Sequence, residues 1–534
     1  MGDGTNSMKF LFIYVDDIRD AVRCQLEKVM PDLSDRQVEE TMDRVKRIHG
    51  PRNPIGGNPR LGILTLASIL RKTFPGIDIQ YCDMAFECLE AEDLRAKIKK
   101  AKPDFIGLSS MLPFAHVFHQ VTKIAKEEAP QATVLGGGPY LSSSPRRALE
   151  DPCLDVGVLF EAEETLPELM RVLLEKGDLS QVQGIGYRGE DGEVRLTSTR
   201  PMVKDLNQVP WPAIDLINLD HYKRAYRIIT PPLKSMPIFS SRGCSYECTY
   251  CHNLSGKTVR WRSAENVFEE MSYYYREHEV REFFFWDDIF NLNIKRAHQL
   301  CDLILKSGMK IRFSFPRGMR GDILTHELID KMVDAGLCQS SFAVESASPR
   351  IQKMIKKYNN FNKLSDTIAY CVERGVLVTT FNMVDFPEET EEEMAMTLDY
   401  NLGLRHHDVT LFKLSPFEGT PIYDQVGGYD HHENLGAATF YKYTKRMISS
   451  VGPEFLQGFV KEFGLRFYFS KERMKRALEF SSPHIPSEDL REHFQNMYSV
   501  AKMHYGIEEK DLADAEAVRL MNVLLNPGKV ALAS

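Results

Sequence analysis

Cys244, Cys248 and Cys251 lie in the run Ser241-Arg-Gly-Cys-Ser-Tyr-Glu-Cys-Thr-Tyr-Cys-His252, with three and then two residues between them. Thiolates are soft donors suited to iron–sulfur clusters and to zinc. The spacing suits three corners of one cuboidal 4Fe–4S cluster, whose fourth iron is then open to a small molecule. A structural zinc site instead needs four closed ligands, commonly from two cysteine pairs. No second pair is present, and His252 directly follows Cys251, poor geometry for sharing one tetrahedral ion. Cys244, Cys248 and Cys251 are therefore the candidate metal ligands.

Short apolar strands alternating with helix-period segments must position this loop. Strand-like Ile238–Ser241 precedes it. Glu282–Trp286, Lys310–Phe315, Ser340–Val344, Val376–Asn382 and Val409–Leu414 follow, with helices such as Glu265–Glu277 and Ile294–Lys306 between them. Six such repeats predict a partial parallel barrel over residues 233–425, with reactive groups at the carboxyl ends of its strands. Asp287, Asp288, Arg317, Glu345 and Ser346 fall at such ends. Each also has a structural alternative: the aspartates can solvate a strand end, and Glu345 with Ser346 or Ser348 can cap the next helix.

The first 185 residues show the same alternation: strands Lys9–Val15, Ile77–Cys82, Phe105–Ser109 and Thr133–Gly136, and helices Leu61–Phe74 and Ala115–Ala129. This predicts a doubly wound, Rossmann-like α/β sheet whose ligand lies at the strand ends. Glycines gather there, at Gly107 and Gly136–Gly138, where backbone can approach a ligand or simply turn tightly. His116 and His119 have a helical spacing that fits packing or surface roles. Residues 186–232 read as a connector containing a polar hairpin around Glu190–Glu193. Residues 426–534 read as a mainly helical substrate or cap domain, with helices over Ala437–Ser450, Lys471–Phe480 and Ser487–Tyr505. His406-His407 and His431-His432 are expected on surface loops, and Leu33–Arg47 as an inserted helix.

The chain has 534 residues, 43% hydrophobic and 27% charged, and a formal charge of −8, which argues against a general nucleic-acid binder. It contains no apolar run long enough to span a membrane, and its first residues lack a signal-peptide core. Ten scattered cysteines fit a reducing compartment, so the expected location is the cytoplasm.

On these residues the chain resembles the cobalamin-dependent radical S-adenosylmethionine enzymes. In the first half the matching pieces are Pro59-Arg-Leu-Gly62, Asp104-Phe-Ile-Gly-Leu-Ser-Ser110, Gly136-Gly-Gly-Pro139 and Phe160-Glu-Ala-Glu-Glu-Thr165. The resemblance implies cobalamin contacts from Pro59, Leu61, Gly62, Ser109, Ser110, Gly136, Gly137, Gly138 and Glu161. Phe160 and Ala162 replace the glycines that usually flank this glutamate. Asp16-Asp-Ile-Arg-Asp20 replaces the signature that supplies a histidine to cobalt in other cobalamin proteins. In the second half, Tyr250 is the aromatic residue before the third cysteine. Asp287, Asp288, Arg317, Glu345 and Ser346 are the implied contacts of S-adenosylmethionine. Asp385-Phe-Pro-Glu-Glu-Thr390 stands where relatives carry Gly-x-Pro-Gly-Glu-Thr, so both glycines are acidic here; Pro416–Pro421 matches the closing motif of the sixth strand.

The resemblance implies reductive cleavage of S-adenosylmethionine by the cluster. Methyl transfer through cobalamin to an unactivated carbon or phosphinate of a small-molecule substrate would follow, with an electron donor such as flavodoxin or ferredoxin. Radical cyclisation or oxidative rearrangement without net methylation is the nearest alternative. A noncatalytic cobalamin or redox sensor is the alternative of another class.

Overall fold

The computed structural model describes residues 7–16, 58–87, 90–222, 233–428 and 447–525. The expected helix at Leu33–Arg47, most of that at Ala437–Ser450, the pair His431-His432 and residues 17–20 lie outside them. The chain divides into two compact units.

The first unit is built on a seven-stranded sheet of order β2-β1-β3-β4-β5-β6-β7. Strands β1 (Lys9–Tyr14), β2 (Asp78–Asp83), β3 (Phe105–Ser109), β4 (Thr133–Gly137) and β5 (Val156–Val158) are parallel. β6 (Ile185–Arg188) and β7 (Val194–Leu196) add an antiparallel edge, so the polar hairpin foreseen in the connector is part of this sheet. Helices α1 (Leu61–Thr73), α2 (Ala91–Ala101), α3 (Ala115–Glu128) and α4 (Thr165–Leu174) cover it. β1 shows why its sequence is apolar from Phe10 onward. Leu11 and Ile13 enter a core with Ile98 and Val121, while Phe10 and Phe12 enter another with Leu64 and Leu169. A parallel sheet buried on both faces reads as a continuous hydrophobic run. The order 2-1-3-4-5 places a topological switch between β1 and β3, where open α/β sheets bind ligands.

The second unit contains six parallel strands paired in chain order, as in a partial barrel that does not close on itself. They are β8 (Ser235–Ile238), β9 (Glu282–Phe285), β10 (Arg312–Met319), β11 (Leu337–Glu345), β12 (Leu377–Val384) and β13 (Asp408–Lys413). The intervening helices are α5 (Ala264–Glu277), α6 (Ile294–Ser307), α7 (His326–Asp334), α8 (Pro349–Met354), α9 (Phe361–Glu373) and α10 (Glu391–Gly403). Local sequence sets their starts: Ser263, Asn293, Thr325, Ser348, Asn360 and Thr390 each accept a backbone N–H with the side chain.

Helices α11 (Pro453–Tyr468), α12 (Lys471–Glu479), α13 (Ser487–Tyr505) and α14 (Ala515–Leu525) follow among the described residues of this unit. α11 is absent from the sequence reading, although Pro453 in its first turn and phenylalanines at 459, 463 and 467 mark it. These helices share one core with Leu377, Val384, Val409, Leu411 and α10. The Tyr468 hydroxyl donates to Asp408 at 2.5 Å, and Arg473 donates to the carbonyls of Asn401, Leu404 and His406. Helices α11 and α12 thus meet β13 at its beginning, and among these bonded groups only Ile448–Ser450 reach the carboxyl end of β12.

His406 and His407 overturn the expectation of a surface loop. His406 is 3% exposed and shares a hydrogen bond with Thr380, and His407 accepts the Val378 N–H. They lie at the start of β13, beneath α11 and α12, and apolar neighbours such as Phe467 and Phe480 desolvate their rings.

Candidate functional site

In the second unit, the backbone leading into the cysteine loop is fastened by two adjacent carboxylates. Asp287 accepts the Ser240 N–H and Oγ–H, each at 2.7 Å, and the Ser241 N–H. Asp288 accepts the Gly243 N–H at 2.9 Å. Arg296 completes the clamp, donating to the Ser240 carbonyl and hydroxyl. Asp287 is 3% exposed, and burial raises its carboxyl pKa against the pull of Arg296 and these donors. Asp287 therefore has a positioning role, which strand-end solvation alone does not describe. Charge-assisted bonds to a buried carboxylate are strong and fix geometry.

On the other side of the loop, the Tyr250 hydroxyl donates to Glu345 Oε1 at 2.8 Å, and Lys357 lies 3.6 Å from the same carboxylate. Glu345 has φ +64° and sits where the register of β11 and β12 shifts, turning its side chain at the strand end. Ser346 is buried and faces away into the protein, with its hydroxyl 3.3 Å from Thr397 of α10. Ser348, rather than Glu345, caps α8. Arg317 lies 4.5 Å over the Trp286 ring. Arg317 is exposed, yet desolvation by the surrounding protein lowers its guanidinium pKa, opposed by Asp288, Asp287 and Cys251.

The three thiols are near enough to influence one another. Cys251 touches solvent, yet the surrounding protein desolvates its thiol and pushes it up to about 11, with Cys248 and Cys244 adding to the rise. Cys244 is raised for the same first reason. Among the described residues no three His, Cys, Asp or Glu side chains gather as a single-ion site would require. A three-thiol loop held at both ends fits a larger cuboidal cluster in its donor chemistry.

The loop after β12 keeps the backbone of the glycines it lacks: Asp385 has φ +72° and Glu388 φ +56°. Asp385 is fully buried, accepts the Ile448 and Ser449 N–H groups and pairs with Lys413 at 3.4 Å. Glu389 is also buried, and burial pushes its carboxyl up to about 8. The acidic residues of this motif are visible in the sequence, but Lys413 and the 448–449 backbone that Asp385 binds are not.

In the first unit, the predicted cobalamin residues gather on the loops after β3, β4 and β5, together with the start of α1. The Tyr140 N–H donates to the Ser110 carbonyl, and a Cβ on Gly138 (φ +85°) would stand 2.6 Å from Ser109 Oγ. Only glycine fits that close approach of the β3 and β4 loops. Gly136 is packed under Phe118 and Leu154, while a Cβ on Gly137 would meet only ordinary contacts. Pro59 and Leu61 are buried at the start of α1, and Gly62 is exposed. Phe160 has φ +60° and its N–H donates to Ser142. Glu161 accepts two bonds from Arg260, at 2.7 and 2.8 Å, and another from the Val203 N–H. His119 is tied to Asp151 and Tyr140, each at 2.8 Å, and the His252 ring stacks on Phe417.

Comparison with known proteins agrees with both halves. The sequence profile of the Radical SAM superfamily matches residues 238–400, and that of the B12 binding domain matches residues 56–170. An uncharacterized methyltransferase of Pyrococcus horikoshii is 30% identical over 389 residues, 72% of this chain and 81% of that protein. The cytidylyl-2-hydroxyethylphosphonate methyltransferase of Streptomyces wedmorensis is 28% identical over 388 residues, 66% of this chain and 72% of that protein. The solved structure of TsrM from Kitasatospora setae, a radical S-adenosylmethionine methyltransferase with cobalamin and a 4Fe–4S cluster bound, superposes with a TM-score of 0.61 at 19% identity. It covers 79% of this chain and 78% of that one. The chain belongs to the cobalamin-dependent radical S-adenosylmethionine enzymes. The two matching profiles name S-adenosylmethionine chemistry and B12 binding.

Proposed function

We propose that this enzyme transfers a methyl group carried by cobalamin to an unactivated carbon, or a phosphinate, of a small-molecule substrate. The observation that carries the proposal is one chain joining a clamped three-thiol loop to a B12-binding domain, with identity to methyltransferases running through both. When bound, the cofactors supply the electron for cleaving S-adenosylmethionine, the hydrogen-abstracting radical and the methyl group. The chain's own groups do the rest. Cys244, Cys248 and Cys251 would hold the cluster. Asp287, Asp288 and the Tyr250–Glu345 bond keep that loop in place. Arg317 offers a cation to a carboxylate. The loops carrying Ser109, Ser110 and Gly136–Gly138 offer backbone to cobalamin. The electron comes from a small reduced carrier of flavodoxin or ferredoxin type. Among the described residues no helix is long and apolar enough to cross a membrane, and the scattered cysteines support action in the cytoplasm.

The test is product stoichiometry in anaerobically reconstituted enzyme supplied with reductant and candidate substrates. Methylation requires S-adenosylhomocysteine and 5′-deoxyadenosine to form together with a methylated product. Substrate conversion without S-adenosylhomocysteine would replace methylation by cyclisation or rearrangement. Failure to cleave S-adenosylmethionine under any reductant would reduce the protein to a sensor.

A further inference from the structure

Between Glu345 and Asp366 the chain carries Arg350, Lys353, Lys356, Lys357 and Lys363 and no acidic residue, although the whole protein has a formal charge of −8. This basic stretch lies against the cysteine loop. The Thr249 N–H donates to the Ile355 carbonyl at 3.1 Å, and the Lys357 ammonium stands 3.4 Å from the Tyr250 hydroxyl. Arg320 forms a second link. Its guanidinium lies 4.5 Å over the Tyr246 ring while donating to the Lys357 and Tyr358 carbonyls at 2.8 and 2.9 Å. Arg350 is paired with Glu393, and Lys357 with Glu345. Lys353, Lys356 and Lys363 are exposed. The anion facing Lys356 is Glu247, at 3.8 Å on the cysteine loop itself.

Among these lysines stands Tyr358, 61% exposed, a large aromatic side chain left in solvent beside a metal-binding loop. Lys356 and Tyr358 have φ +52° and +51°, a strained backbone for side chains with a Cβ. Interfaces favour a rigid aromatic anchor inside a charged rim, and electrostatic complementarity governs the encounter. We propose that Lys353, Lys356, Tyr358 and Lys363 form the docking face for an acidic one-electron carrier protein, which delivers its electron through the cysteine loop. The proposal rests on the electron-donor reading above and gives that donor a place and a charge. Balance is simple: the carrier loses one electron, and the protein-bound cluster gains it.

The test uses full-length reconstituted enzyme and an acidic flavodoxin. Affinity is measured by titration with the oxidised carrier at several ionic strengths. S-Adenosylmethionine cleavage is measured separately with reduced flavodoxin and with dithionite. The triple variant Lys353→Glu, Lys356→Glu, Lys363→Glu is expected to lose roughly ten-fold or more in affinity and most of its salt dependence. Tyr358→Ala should lose affinity with the salt dependence intact. Dithionite-driven cleavage should stay at the wild-type level in both. A control with the same charge change on the first unit, Lys100→Glu, Lys102→Glu, Lys123→Glu, should bind as wild type. The proposal is overturned if the first triple variant binds flavodoxin unchanged, or if the control loses binding equally. Wild-type protein that cleaves with dithionite but binds no carrier also overturns it, while leaving the radical chemistry standing. Failure with dithionite as well sinks the proposed function instead.

Discussion

Asp385 and Glu388 occupy glycine-type backbone for opposite structural reasons. A left-handed conformation costs a residue with a Cβ roughly 1–2 kcal/mol. Exposed Glu388 offers in return its carbonyl, which accepts a bond from Arg350 and would survive replacement by glycine, and a solvent-screened charge near the same guanidinium. Asp385 spends its carboxylate on the Ile448 and Ser449 amides and on Lys413, whose side chain is 5% exposed. Removing one member of a buried pair leaves the other charge unpaired, at a cost of roughly 3–5 kcal/mol. The same substitution therefore has opposite expected outcomes. Glu388→Gly should leave the urea unfolding midpoint of the second unit unchanged or raise it, whereas Asp385→Gly should lower it clearly. A matching fall in both variants would show that the Asp385 network contributes nothing beyond conformation.

At the scale of elements, the segments that follow β8 and β9 are joined through Asp287. Asp287→Ala removes the acceptor for the Ser240 and Ser241 amides and leaves the buried Arg296 opposed by no carboxylate at that position. All three thiols remain, so the expected loss is in holding the cluster rather than in ligand identity. Iron and sulfide content after anaerobic reconstitution should fall well below wild type. Asp287→Asn keeps one acceptor oxygen and should recover part of it. Cys244→Ala, by contrast, should prevent cluster formation. Occupancy equal to wild type in Asp287→Ala would remove the positioning role. The sequence placed Asp287 at a strand end because Phe283–Phe285 form an apolar run that must stop there. The Ser240 and Ser241 amides it binds lie more than forty residues earlier in the chain, so the pairing of β8 with β9 had to be known before they could be named.

Across the whole molecule, elements buried on both faces were legible because their apolar runs admit no other role: β1, β3 and the Phe283–Phe285 run of β9 are the examples. The C-terminal region was less so. α11 mixes aromatic and charged residues, and its buried face becomes apparent only against Val409 and Leu411. The same layer hides histidines that adjacency alone marked as surface polar. Desolvation holds His406 well below its ordinary range, His407 at about 3 and His493 at about 4. Arg473 opposes protonation of the first two and Arg312 that of His493, while Asp408 favours it at His493. These rings fold neutral, whereas the unfolded chain takes up protons near the ordinary histidine value of about 6.5. Below that pH the unfolded state binds more protons, so their contribution is fully present above about 6.5 and declines toward the folded values near 3 to 4. The thermal midpoint of the second unit should therefore drop by a few degrees between pH 7.5 and 5.5. His407→Asn, which can still accept the Val378 N–H, should show a shallower decline. A wild-type midpoint that is flat over that range, or a His407→Asn slope equal to wild type, would mean that these histidines titrate alike in the folded and unfolded chain.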